Sequence, residues 1–184
     1  DGSLKDIKGI PSSVQTQKQA VELGIPLTTL DEHPEIDITI DGADEVDENL
    51  NLIKGGGGAL LREKILAQAS KYEIIVVDDS KISKYLGEKW KVPVEVLRFS
   101  QKSVQKFLES LGARVYLRHK EGQIFFTDEG NIILDADFVK IEYPDELADN
   151  LNAKAGIVEH GLFVNLADEV VTAGENGIKI LRKS

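Results

Sequence analysis

The apolar positions of this chain change period several times, and each change marks an element. Ile36, Ile38 and Ile40 alternate with Asp37 and Thr39, the period-two pattern of a strand. Ile74-Ile75-Val76-Val77 is instead continuous and β-branched, as in strands covered on both faces of a parallel sheet. Between them the pattern predicts a helix from about Ala59 to Ser70. Upstream, Ile7 to Pro11 reads as a short strand. Ser12-Ser13 offers a cap for a helix from Val14 to Leu23 that Gly24 stops. Ile25 to Leu30 reads as a further strand, which Pro26 confines to a strand start or a sheet edge. Strands and helices in alternation predict an α/β fold, an open and mostly parallel sheet flanked by helices and joined by right-handed crossovers.

The pattern changes near Trp90-Lys91-Val92-Pro93. Beyond it come a strand (Val94 to Arg98), a helix (Ser103 to Leu111), a strand (Arg114 to Arg118) and a hairpin. The hairpin runs from Ile124 to Thr127, turns at Asp128-Glu129-Gly130-Asn131 and returns through Ile132 to Asp135. A helix from Pro144 to Leu151 and a strand from Ile157 to Phe163 follow. This order predicts a smaller, ferredoxin-like α+β domain over residues 93–163. The last hairpin, Glu169 to Ala173 and Ile178 to Leu181 around Gly174-Glu175-Asn176-Gly177, would rejoin the first domain, giving an α/β domain of residues 1–92 and 164–184.

Composition narrows the function. The 184 residues carry a net charge of −10, which argues against nucleic acid and anionic membrane as partners. No apolar run is long enough to span a bilayer, and no signal-peptide pattern opens the chain. The absence of cysteine removes disulfides, thiolate nucleophiles and cysteine metal sites, and fits a reducing compartment. Methionine is absent too, and Asp1-Gly2-Ser3-Leu4-Lys5 reads as a polar turn entering a strand, so a preceding segment is expected.

Three features converge on one place. Asp41-Gly42-Ala43-Asp44-Glu45 follows the Ile36 to Ile40 strand. Lys54 precedes Gly55-Gly56-Gly57-Gly58 and the helix that carries Glu63. Asp78-Asp79-Ser80-Lys81 follows the Ile74 to Val77 strand. Ligands of open parallel sheets bind beyond the carboxyl ends of strands, and both loops and the helix start belong at that edge. A glycine run lets backbone N–H groups approach a ligand, and a helix start favours negative charge. Lysine supplies a positive charge for an oxyanion or phosphate, and an enclosed carboxylate can act as general base beside a carbonyl. The set suits proton abstraction with enolate stabilisation; no Ser-His or Cys-His pair is evident.

Each feature also has a plain structural reading. Asp41-Gly42 fits a simple turn, the glycines a hinge, Glu63 an exposed residue near a helix start, and Asp78 to Lys81 a helix cap. On a helical wheel Glu63 faces away from Leu61 and Ile65, which leaves solvent and pocket both open. The glycine spacing matches neither a dinucleotide fingerprint nor a phosphate-binding loop of the Gly-Lys-Ser/Thr kind. Asp41, Asp44 and Asp47 miss the alternate spacing of a calcium loop, and His33, His119 and His160 lie far from these motifs, so no metal site is expected.

Taken together, Asp41 to Glu45, Lys54 to Gly57, Arg62-Glu63-Lys64 and Asp79 to Lys81 resemble the ribose-5-phosphate isomerase A family. The resemblance continues through Val92 to Val96, Thr127 to Asn131, Gly156-Ile157-Val158 and Gly161-Leu162-Phe163, and so covers the chain. It implies an enzyme of the pentose phosphate pathway that interconverts ribose 5-phosphate and ribulose 5-phosphate through an enediolate. Glu63 would carry the proton between C1 and C2. Asp41 and Asp44, with Lys54, would assist ring opening and hold the oxyanion. Asp41, Gly42, Ala43, Asp44, Lys54, Gly55, Gly56, Gly57 and Lys81 would contact the substrate. The resemblance further implies no cofactor and no metal, a homodimer or homotetramer, and a cytoplasmic location, with any plastid address lying upstream of Asp1. The family's N-terminal Gly-Thr-Gly-Ser-Thr loop is absent from this chain and would belong to the expected preceding segment. The alternative is a non-enzymatic sugar-phosphate sensor on the same scaffold, which would not need Glu63 or the Asp41/Asp44 pair. A CoA-transferase-like activity finds no motif to support it.

Overall fold

A computed structural model describes residues 5–175 and 177–183; the opening turn at 1–4 and Asn176 of the final turn lie outside them. The first helix, α1 (Val14–Glu22), is capped by the Ser13 hydroxyl, which accepts from the Thr16 N–H. Then follow β1 (Thr39–Asp41), the short β2 (Glu45–Val46) and β3 (Leu52–Ile53), α2 (Leu60–Ala69) and β4 (Glu73–Asp78). The second stretch holds β5 (Val92–Val96), α3 (Gln101–Ser110), β6 (Arg114–Leu117), β7 (His119–Lys120), β8 (Gln123–Ile124) and β9 (Ile132–Asp137). It continues with α4 (Pro144–Asn152), β10 (Ile157–His160) and β11 (Leu162–Phe163), and the chain closes with β12 (Glu169–Gly174) and β13 (Gly177–Arg182).

Two four-stranded sheets result. In the first, β1, β4 and β12 run parallel in the order β1-β4-β12-β13, with β13 antiparallel at the edge. In the second, β10-β5-β9-β6 are all antiparallel, the strand order of a ferredoxin-like unit whose crossovers are α3 and α4. The α/β class with an added α+β unit therefore stands. No helix among the described residues is long and apolar enough to cross a membrane.

A third sheet, β11-β3-β2, lies between the two and was not legible as strands. Its neighbouring residues face opposite ways, as a pleat requires. Leu52 and Phe163 enter the core formed by Val46, Ile75, Val77 and Val170. Ile53 and Leu162 enter the other, with Val94, Val104, Leu108, Leu134 and Leu151. Lys54 follows directly on this two-faced strand.

Several expected elements are shorter than the pattern suggested. The strands expected at Ile7 to Pro11 and Ile25 to Leu30 reduce to one parallel bridge between Gly9 and Leu27. Ile124 pairs back to His119 rather than across the Asp128 turn, where only Phe126 bridges Ile132. Side chains take over there. The buried Glu95 carboxylate accepts from the Thr127 hydroxyl at 2.8 Å and the Asn131 amide at 2.9 Å, fixing the turn without a long ladder.

Candidate active site

β1 and β4 run parallel, with Asp41 opposite Ile75, so Asp41 and the loop from Asp79 to Lys81 emerge at the same sheet edge. Lys54 reaches this edge from β3. Its ammonium, 3% exposed, lies 2.9 Å from Asp41 Oδ2 and 3.4 Å from Glu63 Oε2, and donates to the Gly42 carbonyl at 2.5 Å. One cation is thus shared between two carboxylates. Asp41 also accepts from the Gly42 N–H at 2.8 Å. Asp44 turns the other way and accepts from the Gly56 N–H at 2.7 Å, tying the acidic loop to the glycine loop.

The helix that delivers Glu63 decides between the solvent and the pocket that the wheel left open. Ile65 is 42% exposed, whereas Lys64 is buried beside Leu60, Leu66 and Ala67. Lys64 occupies the core because its charge is answered there: it donates to Glu159 Oε1 at 2.5 Å and the His160 carbonyl at 2.6 Å, and sits over the Phe163 ring. Its neighbour Glu63 consequently points into the site, with a side chain 14% exposed. Glu63 Oε2 is buried and faces the Lys54 ammonium at 3.4 Å, an ion pair longer than the one Lys54 makes with Asp41.

These placements set the protonation chemistry. Burial, reinforced by the Asp41 charge, raises the Glu63 carboxyl above the usual carboxylate range, and Lys54 offsets this only in part because Asp41 shares it. Burial opposes the Lys54 charge, yet Glu63 and Asp41 together hold the amine above the usual lysine range. Asp44 is raised by burial against the pull of the Gly56 N–H, Lys54, Lys81 and Arg118. Lys81, half-buried and 5.5 Å from the Trp90 ring centre, follows β4 at the same sheet edge, and its charge acts on Asp44. All of the expected site residues therefore gather at one edge.

The glycines differ in their reasons. Gly55 and Gly58 adopt φ of +93° and +91°, which disfavours any other residue. A Cβ on Gly56 would meet Asp44 Oδ1 at 2.6 Å, while one on Gly57 would meet nothing within 4 Å. Gly57 is exposed and carries no steric demand from its own chain.

Sequence reasoning passed over two supporting groups. Glu45, wholly buried, accepts from the backbone N–H groups of Gly87, Lys89 and Trp90 and so holds the loop behind Lys81. Arg118 donates to the Gly55 and Gly56 carbonyls at 2.8 and 3.1 Å. Charged residues that end up buried look like loop residues in a hydropathy pattern, and only long-range partners reveal them. His33 and His119 are exposed, and His160 is buried and held neutral, its pKa lowered to about 3 by burial and by Lys64.

Known proteins resemble this chain over almost its whole length. The family model for ribose 5-phosphate isomerase A (phosphoriboisomerase A) matches residues 8–177. The ribose-5-phosphate isomerase A of Desulfatibacillum aliphaticivorans is 54% identical over 99% of this chain and 80% of its own length. That of Chloroflexus aurantiacus is 53% identical over 97% of this chain and 75% of its own. Among solved structures, a D-ribose-5-phosphate isomerase in complex with phospho-erythronic acid superposes with a TM-score of 0.95, at 40% identity over 98% of this chain and 80% of that one. The ribose 5-phosphate isomerase from Plasmodium falciparum gives a TM-score of 0.95 at 42% identity, covering 100% of this chain and 81% of its own.

Proposed function

The chain belongs to the ribose 5-phosphate isomerase A family, and from its site we propose that it interconverts ribose 5-phosphate and ribulose 5-phosphate with Glu63 as the base. The observation that carries the assignment is the buried Lys54 ammonium shared between Asp41 at 2.9 Å and Glu63 at 3.4 Å. In the open-chain aldose, C2 lies next to the carbonyl and its proton is acidic. Glu63 takes that proton, and the C1 oxygen gains negative charge as the enediolate forms. Lys54, charged and nearly excluded from solvent, lies where it can offset that charge, and such an ammonium is worth more in a dry site than in water. The C2 hydroxyl proton passes to the C1 oxygen, and Glu63, whose proton exchanges with solvent in the interval, protonates C1 to complete the ketose. A raised pKa suits Glu63 to both halves of the transfer, since it must hold the proton between them.

Asp41 and Asp44 flank the path by which a furanose ring would open, and Gly42, Ala43, Gly55, Gly56 and Gly57 line it with backbone groups. Lys81 supplies positive charge toward the anionic end of the substrate. A sensor on this scaffold would gain nothing from burying two carboxylates, Asp41 and Glu63, around one lysine, an arrangement that costs desolvation. The same reading takes residues 1–92 and 164–184 as the catalytic domain and 93–163 as the smaller one. It also assigns the chain to the cytoplasm as a homodimer or homotetramer that works without cofactor.

The test is isomerisation in deuterated water. The wild-type protein should yield ribulose 5-phosphate carrying solvent deuterium. Glu63→Gln should fold normally and lose turnover by about 10²–10⁴-fold, the usual range for a lost general base. Undiminished turnover in Glu63→Gln would remove Glu63 from the role of base.

A further inference from the structure

Building on the glycine loop as a substrate contact, we propose that Arg118 is a positioning residue that aims the Gly57 N–H into the active site. Arg118 comes from outside the parallel sheet, immediately after β6, and its side chain is 13% exposed. Nε and Nη2 form a fork on Asp135 of β9, at 3.0 and 2.5 Å. This leaves Nη1 to donate to both loop carbonyls, Gly55 O at 2.8 Å and Gly56 O at 3.1 Å.

The consequence follows from peptide planarity. In a trans peptide the carbonyl and the following N–H point in opposite directions. Holding Gly55 O against Arg118 sends the Gly56 N–H away from it, and that N–H is the one bonded to Asp44. Holding Gly56 O against Arg118 likewise sends the Gly57 N–H away, on the same principle. Among the described residues the Gly57 N–H has no acceptor, and a Cβ at Gly57 would meet only open space. A donor without a partner, one residue beyond the Gly56 N–H that Asp44 holds, fits an oxygen of the sugar phosphate or of its enediolate. The Gly55 carbonyl also accepts from the Gly58 N–H at 3.0 Å, so it is the Gly56–Gly57 peptide whose orientation rests on Arg118, and glycine peptides flip readily. Lysine could not replace the fork, since one ammonium cannot serve the Asp135 carboxylate in bidentate fashion and two carbonyls at once.

Arg118→Lys should lower kcat/KM by about 10–100-fold, the scale of a misplaced oxyanion donor, in protein that is still folded at the assay temperature. Arg118→Ala should behave similarly and recover part of its activity in millimolar guanidinium, which a general loss of stability would not do. Amide hydrogen exchange at Gly56 separates the two ideas involved: it should accelerate in Arg118→Lys as the Asp44 bond loosens. Unchanged exchange with unchanged turnover would overturn the clamp. Faster exchange with unchanged turnover would overturn the role of the glycine loop on which it rests. If Arg118→Ala folds poorly, Asp135→Asn, which weakens the fork but keeps the guanidinium, should give a smaller loss in the same direction. Full activity in Asp135→Asn together with no guanidinium rescue of Arg118→Ala would reject the assignment.

Discussion

Glu73 shows how far a single side chain can depart from what its neighbours in sequence suggest. It opens β4, is 2% exposed, and neither carboxylate oxygen has a hydrogen-bond partner. Burial raises its pKa to about 7, with the Asp41, Asp168 and Glu63 charges adding to the shift and Lys54 opposing it. The sign is definite: a carboxyl with a raised pKa in the folded state stabilises that state while protonated, below its ordinary value of 4.5, and the contribution is lost as pH rises through about 7. Glu73→Gln, which mimics the protonated form, should therefore leave stability at pH 5 nearly unchanged and raise it at pH 8 by about 3 kcal/mol. Thermal melts of both proteins from pH 5 to 8 would check this; parallel curves would mean that Glu73 does not titrate within the fold. Nothing in the run Glu73-Ile74-Ile75 announces a buried acid. The strand was legible because Ile74 to Val77 is apolar, but the burial of its first residue depends on what Asp168, distant in sequence, brings against it: its carboxylate accepts from the Glu73 N–H at 2.7 Å.

Among the elements, the segment from Lys54 to α2 was half legible. Four glycines before a helix identified a loop for close approach, and strand ends identified the edge it serves. The helix face was not legible, because Lys64 buries its charge against Glu159 and His160 and thereby turns Ile65 outward. A wheel assigns faces by polarity and cannot foresee a cation satisfied inside. The loop itself makes a sharp prediction from its two central glycines. Gly56→Ala should push against the Asp44 carboxylate and reduce kcat by about tenfold or more, through misplacement of groups that must be held closely. Gly57→Ala has room within the chain and should fold with an unaltered melting temperature. If the empty space beside Gly57 belongs to the substrate, KM should rise; an unchanged KM would show that the substrate passes elsewhere. Steady-state kinetics of the two variants, read side by side, distinguishes these effects.

At the scale of the whole molecule, the parallel and antiparallel sheets were foreseen from the change of pattern at Pro93, and the thin sheet between them was not. Strands of two residues carry too little periodicity to be read. Yet that sheet places Lys54: the Lys54 N–H donates to Gly161 O at 2.9 Å, and the Gly161 N–H donates to Pro93 O at 2.7 Å. A side chain at Gly161 would press on the Lys54 carbonyl and the Pro93 ring together. Gly161→Ala should cost about 1–3 kcal/mol, as overpacking does, and should slow turnover as well. Leu151→Ala, a cavity deep in the second core, should cost at least as much stability and leave turnover of the folded fraction closer to normal. Equal slowing in both would mean that Gly161 has no special link to Lys54.

The two-faced strand before Lys54 has a consequence for how such a protein can change. Leu52 and Ile53 are adjacent in sequence but answer to different interiors, so the lysine is held at a wall common to both. A substitution that swells or shrinks either interior reaches the reaction centre through this wall, and a compensating change can come from the opposite side. Variants adapted to heat or cold should therefore alter the two interiors in step, whereas chimaeras that join one interior from this chain to the other from a distant relative should fold and still turn over slowly.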